Sequence, residues 1–176
     1  MIHVQAYFDD TTNTVSYLVE DTATQQAVLI DPVLDYEPNR AALQTLSVDA
    51  ILKDVHARGL TLTWVLDTHV HADHRTGSWE LRKATGAKTC LSSNSGVKNA
   101  DILLKDGEEL EFGSFSIKAL NTPGHTNGCM SYFSDGILFT GDALFIRGCG
   151  RTDFQEGDPH ILFSSVRNIL FSYPDE

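Results

Sequence analysis

What the chain lacks narrows its function before any motif is read. It holds only three cysteines, Cys90, Cys129 and Cys149, and no Cys-x-x-Cys pair. That pattern excludes a disulfide framework or a zinc knuckle and fits reduced, intracellular thiols. Positive charge is also scarce: 13 Lys and Arg face 24 Asp and Glu, a formal net charge of −11, and no basic run offsets it. Neutralising a phosphate backbone takes clustered cations, so nucleic acid is not an expected partner, and the acidity serves solubility. Long apolar runs are missing as well. Ile137–Phe139 and Ile161–Phe163 are far too short to cross a bilayer, and residues 1–7 do not join a basic segment to an apolar one as a secretory signal does. No membrane partner is expected. The expected location is the cytoplasm, or the mitochondrial matrix if the source is eukaryotic. No repeat, low-complexity tract or linker breaks the chain.

What is present reads as one α+β domain over residues 1–176, with 41% apolar and 21% charged residues. His3–Phe8, Thr14–Glu20 and Gln26–Asp31 predict three strands separated by polar turns, the third stopped by Pro32. Val48, Ile51, Leu52 and Val55 at i, i+3, i+4, i+7 predict a helix from Val48 to Arg58, with Ser47 as N-cap and Gly59 at C′. Leu60–Leu66 predicts a buried strand. A helix over Gly77–Ala84 and a strand over Lys88–Leu91 follow. Ile102–Leu104, Glu108–Phe112 and Phe115–Leu120 read as antiparallel strands, and Met130–Phe133 with Ile137–Thr140 as a hairpin around Asp135-Gly136. Asp158 and Pro159 open a last helix reaching Phe171. Strands and helices in this order suit two sheets with helices outside them.

Three groups of residues carry chemistry, each directly after a predicted strand. The first is Thr68-His69-Val70-His71-Ala72-Asp73-His74. His69 and His71 are two apart and point to the same side if the segment is extended. The second is Thr122-Pro123-Gly124-His125-Thr126, where a Pro-Gly turn lifts His125 above the strand end. The third is Phe139-Thr140-Gly141-Asp142, a carboxylate closing an apolar strand. Imidazole and carboxylate together suit zinc, iron or manganese. His3, His56 and His160 stand apart from these groups and read as ordinary surface or core histidines.

With these residues on the page the sequence resembles the metallo-β-lactamase superfamily along nearly its whole length. His69, His71, Asp73, His74, His125 and Asp142 match that family's ligand motifs. Within it the persulfide dioxygenase (sulfur dioxygenase) branch is most similar, through residues 122–129 and the run Phe139-Thr-Gly-Asp-Ala-Leu-Phe-Ile-Arg-Gly-Cys-Gly-Arg-Thr-Asp-Phe-Gln155, with Asp31-Pro32-Val33-Leu34-Asp35. Glyoxalase II is also similar, although it usually has His at the place of Cys129. The resemblance implies an αββα sandwich. It implies one Fe(II) per chain on His69, His125 and Asp142, although the same ligands accept zinc. The implied reaction oxidises glutathione persulfide with O2 to sulfite and glutathione.

His71, Asp73 and His74 would then orient ligands and handle protons, and Arg147 and Arg151 would hold substrate carboxylates. Cys149 and Cys129 read as small packed residues. Family members normally continue through another strand with a further histidine and then a helix, which this chain lacks. A full two-metal site is therefore not expected, and a homodimer would hide the surface left open. The alternatives are a glyoxalase II-like zinc hydrolase of glutathione thioesters and an inactive metal-binding remnant.

Overall fold

Alternating and continuous apolar runs set the strands of a computed structural model that describes residues 1–174. Packing divides the chain into two units. One comprises Met1–Asp67, His71–Cys90 and Phe112–Ser114; the other comprises Thr68–Val70, Leu91–Glu111 and the chain from Phe115 onward.

The first unit is built on a mixed sheet. β1 (Ile2–Asp9) pairs antiparallel with β2 (Thr14–Asp21) from Ile2↔Asp21 to Asp9↔Thr14, and β2 pairs antiparallel with β3 (Gln26–Ile30). The chain next forms β4 (Val33–Glu37) and β5 (Ala42–Gln44), then α1 (Leu46–Ala57). β6 (Thr61–Leu66) returns parallel to β3. After β7 (Arg75–Thr76) and α2 (Ser78–Thr85), β8 (Lys88–Ser92) lies parallel to β6, giving the order β1-β2-β3-β6-β8. β1 alternates in exposure as an edge strand does, whereas Ala27–Ile30 of β3 are fully buried, as a strand covered on both faces must be. Val48, Ile51 and Val55 of α1 pack with Leu18, Leu29, Leu62, Val65 and Leu81. Each such side chain removed from water contributes about 1.5–3 kcal/mol.

α1 starts two residues earlier than expected, and Ser47 is not its cap. The Ser47 N–H and Oγ–H both donate to the Asp35 carboxylate, each at 2.8 Å, so one orphan donor of the first turn is met from β4. The small sheet in the order β5-β4-β7 was not expected either. Its strands are short and half exposed, so no apolar pattern marks them.

In the second unit, β9 (Ile102–Leu104) is held by the Ser93 N–H donating to the Leu104 carbonyl at 2.8 Å. A sheet follows in the order β10 (Glu109–Phe112), β11 (Phe115–Asn121), β12 (Met130–Ser134), β13 (Ile137–Phe139). Asp135 and Gly136, both at positive φ (47° and 86°), make the tight turn the sequence announces between β12 and β13. α3 (Pro159–Asn168) begins as expected: the Asp158 carboxylate accepts from the N–H groups of His160 and Ile161. It ends before Phe171, and a 3-10 turn over Leu170–Ser172 completes the element. Leu162 and Leu170 close a small core with Ala143. No helix among the described residues is long and apolar enough to cross a membrane.

Candidate metal centre

Three irregular segments of the second unit place one donor each. Residues 67–74 form bends and not the extended segment expected, and His69 and His71 offer their ligand atoms to different groups. The Thr68 carbonyl accepts from the Met130 N–H at 2.8 Å, and the Thr68 side chain fills the space above Gly141, where a Cβ would lie 2.5 Å from Thr68 Oγ1. His69 is thereby buried, its Nδ1 3.0 Å from Thr68 Oγ1.

His125 sits on the turn after β11. Gly124 takes φ of 134°, and a Cβ there would lie 2.4 Å from the Leu162 backbone, so only glycine lets α3 approach this closely. α3 also holds the turn by polar bonds: the Asp158 N–H donates to Gly124 O at 2.8 Å and the Ser165 hydroxyl to Pro123 O at 2.7 Å. Asp142 lies in a 3-10 turn, Gly141–Ala143, after β13.

The three side chains converge. The rings of His69 and His125 stand edge to face, 4.9 Å between centroids, and His125 Nε2 is 3.3 Å from Asp142 Oδ2. One ligand atom from each of the three lies within 4.8 Å of the others. His125 Nδ1 is 2.7 Å from the Arg151 carbonyl, which only accepts, so Nδ1 donates there and Nε2 is the ring nitrogen turned toward Asp142. Two histidines with their outer nitrogens engaged, beside a half-exposed carboxylate, fit a divalent transition metal by donor type and by geometry.

In the first unit, His71, Asp73 and His74 form another group, and His71 also groups with Asp31 and Asp67. His71 Nε2 is 3.1 Å from Asp31 Oδ1, and His74 Nδ1 is 3.2 Å from Asp73 Oδ1. The Thr14 hydroxyl donates to Asp73 Oδ2 at 3.2 Å. Asp67 accepts from the hydroxyls of Thr76 and Ser78, at 2.7 and 2.8 Å.

Burial works against the His71 imidazolium, but Asp31, Asp67 and Asp73 outweigh it and push its pKa up to about 9. Burial pushes the Asp67 carboxyl up to about 6 against the pull of His71. Burial, and then the charge on His71, holds His74 below the ordinary histidine value. Burial opposes ionisation of Asp73 too, but His74 and His71 bring it below the usual carboxylate range. His74 Nε2 is a buried polar atom that meets no hydrogen-bond partner.

Of the remaining residues singled out from sequence, all but Cys129 fall on the surface. Arg147 is exposed on a loop at φ 65°, and Arg151 makes a two-pronged ion pair with Asp153 at 2.8 and 3.0 Å. Cys129 is packed as expected, with Thr126 against its Sγ. Cys149 is not: it is exposed, within a loop whose residues 145–149 are all exposed around the Phe145–Gly148 bridge. His3, His56 and His160 are exposed, and His3 Nδ1 lies 3.0 Å from Arg58.

Sequence reading missed the parts played by Asp31, Asp67, Thr14 and Thr68. Asp31 and Asp67 carried a signal, each being an acid directly after an apolar strand, as Asp142 is. Thr14 and Thr68 had none, since a threonine at a strand end is ordinary.

Comparison with known proteins places this geometry. The model of the Metallo-beta-lactamase superfamily matches residues 9–98 and 92–171. The mitochondrial persulfide dioxygenase ETHE1 of Homo sapiens is 40% identical over 178 residues, covering 99% of this chain and 65% of the human protein. A probable metallo-hydrolase of Burkholderia pseudomallei is 36% identical over 198 residues, covering 95% of this chain and 67% of its own length. Among solved structures, ETHE1 from Myxococcus xanthus is similar with a TM-score of 0.89 and 44% identity, covering 99% of this chain and 72% of that one. The chain thus spans just under two thirds of the human protein's length.

Proposed function

The chain belongs to the metallo-β-lactamase superfamily, and we propose that within it the chain acts as an Fe(II)-dependent persulfide dioxygenase, oxidising glutathione persulfide with O2 to sulfite and glutathione. The observation that carries this reading is the convergence of His69, His125 and Asp142, two imidazoles and one carboxylate within 4.8 Å. Such a set leaves several coordination positions open to substrate and oxidant. The similarity to persulfide dioxygenases supports the reading. Bound to these three residues, Fe(II) would supply affinity for a thiolate-like sulfur and redox chemistry toward O2.

The protein's own residues do the rest. The Arg151 carbonyl and the Thr68 hydroxyl hold the two imidazoles by their Nδ1 atoms. Arg147 and Arg151 supply cations for the carboxylates of the glutathione part, which a chain of net charge −11 would otherwise repel. His71, Asp73 and His74, fixed among Asp31, Asp67 and Thr14, orient neighbours and hold protons.

A second reading has one specific observation in its favour. His71, Asp73 and His74 offer ligand atoms within 4.8 Å, with His74 Nε2 unmet, which suits a metal-dependent hydrolase of glutathione thioesters. Oxygen uptake on adding glutathione persulfide to anaerobically Fe(II)-loaded protein separates the two, with Asp142→Ala as blank. Uptake that yields sulfite and depends on Asp142 is expected. No uptake with one iron bound, together with thioester hydrolysis by the zinc form, would replace the first reading by the second.

A further inference from the structure

The loop that carries the two arginines also bonds to both metal-centre residues that lie outside the His69 segment, to the main chain of Asp142 and to the ring of His125. The Gly150 N–H donates to the Asp142 carbonyl at 2.7 Å, and the next carbonyl, that of Arg151, accepts from His125 Nδ1 at 2.7 Å. Gly150 is buried, in contrast to its exposed neighbours Cys149 and Arg151. A Cβ at Gly150 would lie 2.6 Å from Asp142 O, 2.8 Å from Asp142 Cβ and 2.8 Å from His125 Nδ1. None of these atoms is the end of a flexible side chain. At Gly148, two residues earlier, a Cβ would meet only Phe145 at 4.0 Å. Neither glycine stands among those at positive φ, so what separates them is space and not backbone conformation.

We propose that the Gly150–Arg151 backbone is a positioning element for the metal ligands: one N–H and one carbonyl, on adjacent residues, clamp Asp142 and His125 in register. The inference rests on the reading of those two residues as ligands. A single main-chain segment has few ways to move, so the two bonds fix the spacing between the Asp142 backbone and the His125 ring. The His125 bond also sets the tautomer, leaving Nε2 as the metal-facing atom. Outer partners of metal ligands typically carry a 10–100-fold share of metal affinity. A methyl group at 150 pushes both ligands at once, and a loss of at least about ten-fold is expected. The Arg151 side chain has no part in the clamp, because its carbonyl survives any substitution that keeps the backbone path.

The test is metal affinity, read without turnover. Zn(II) dissociation constants by chelator competition and the visible spectrum of the Co(II) form are measured for Gly150→Ala, Gly148→Ala and Arg151→Ala, with circular dichroism to check folding. Gly150→Ala is expected to bind at least about ten-fold more weakly and to shift the Co(II) bands, while the other two stay within about two-fold of the parent. Parent-like binding by Gly150→Ala, or an equal loss in Arg151→Ala, overturns the proposal.

If Gly150→Ala fails to fold, the parent protein decides through the ring 15N resonances of His125 in the metal-free state. A protonated Nδ1 is expected, and a bare Nδ1 overturns the clamp. Metal binding unaffected by His125→Ala and Asp142→Ala would instead sink the ligand assignment, whereas absent persulfide oxidation with this affinity pattern intact would sink only the dioxygenase reading.

Discussion

The protein holds two clusters made from the same residue types, and they differ in what already satisfies them. In the second unit, His69 and His125 are engaged on their outer nitrogens by a hydroxyl and a backbone carbonyl, and Asp142 faces His125 Nε2. In the first unit, His71 lies against Asp31 at 3.1 Å with Asp67 and Asp73 beside it, and Asp73 is shared by His74 and Thr14. The first arrangement directs donors at a common point. The second directs donors and acceptors at each other. A metal entering the second cluster must compete with the carboxylates on His71 and His74 at 3.1 and 3.2 Å, whereas one entering the first meets the single His125–Asp142 approach at 3.3 Å. Residue type alone does not separate the two clusters; their outer partners do.

The largest expected effect tests that contrast directly. His125→Ala or Asp142→Ala lowers metal affinity by more than about 100-fold, beyond what an outer partner carries. His71→Ala and His74→Ala leave one metal per chain bound. Metal content by mass spectrometry after dialysis checks this, and equal losses from both sets would erase the distinction. Chelation supplies a thermodynamic version: at metal concentrations 100-fold above Kd the bound form gains about 2.7 kcal/mol, so a chelator lowers the parent's Tm and leaves that of Asp142→Ala unchanged.

Next in size is the Asp31–His71 ion pair of the second cluster. Asp31 is a buried acid at φ 50°, with the Ser16 hydroxyl on its carbonyl and its N–H on Leu66 O. Asp31→Asn keeps a residue that tolerates this backbone and a side-chain oxygen for His71, and is expected to cost about 1–3 kcal/mol, the range for disturbing a buried hydrogen-bonded charge. Asp31→Ala adds the left-handed backbone penalty of about 1–2 kcal/mol. Denaturant melts of the two variants give the split, and equal losses would mean that the backbone strain is not real.

Much of this was open to a sequence reader, and the boundary between legible and illegible is physical. β2, β3 and β6 announce themselves because buried strands are apolar along their length. α3 does so because Asp158-Pro159 is a start signal with a local mechanism. His69, His125 and Asp142 could be picked out because each lies a few residues after an apolar strand. What could not be read depends on contacts distant in sequence. Ser47 looks like a cap until Asp35 arrives from another strand, and β4, β5 and β7 are too short and too exposed to leave a pattern. The role of the Arg151 carbonyl is invisible because a main-chain oxygen has no letter in the sequence. Cys149 was misjudged for a similar reason, since whether a small thiol is packed depends on where its loop turns.

The surface arginine offers a smaller effect. Arg151 and Asp153 pair in full solvent, where a substrate carboxylate can take Asp153's place at little cost. If the proposed clamp for the glutathione part is right, Asp153→Ala lowers KM for glutathione persulfide and Arg151→Ala raises it. Each change is expected to be roughly two- to five-fold with kcat unchanged, the range open to a solvated ion pair. A persulfide without carboxylates should be indifferent to both variants, and a KM shift for it would move the role of Arg151 elsewhere.

The smallest effect concerns the helix that seats His125. Asp158 caps α3 by accepting from the N–H groups of Ile161 and His160, which hold its carboxyl below the usual range, and its own N–H donates to Gly124 O beside His125. A carboxylate whose pKa is lowered on folding stabilises the protein above its unfolded value, near 4, and that contribution fades as the pH falls through the folded value. Asp158→Ala should therefore lower Tm by about 2–4 °C at neutral pH, and the gap to the parent should close on acidification below about pH 4. Because the Asp158 N–H survives the substitution, metal affinity should hardly change. If it falls along with Tm, the His125 turn depends on the cap itself and not only on the Leu162–Gly124 contact, and the contrast between the two clusters extends to the helix behind one of them.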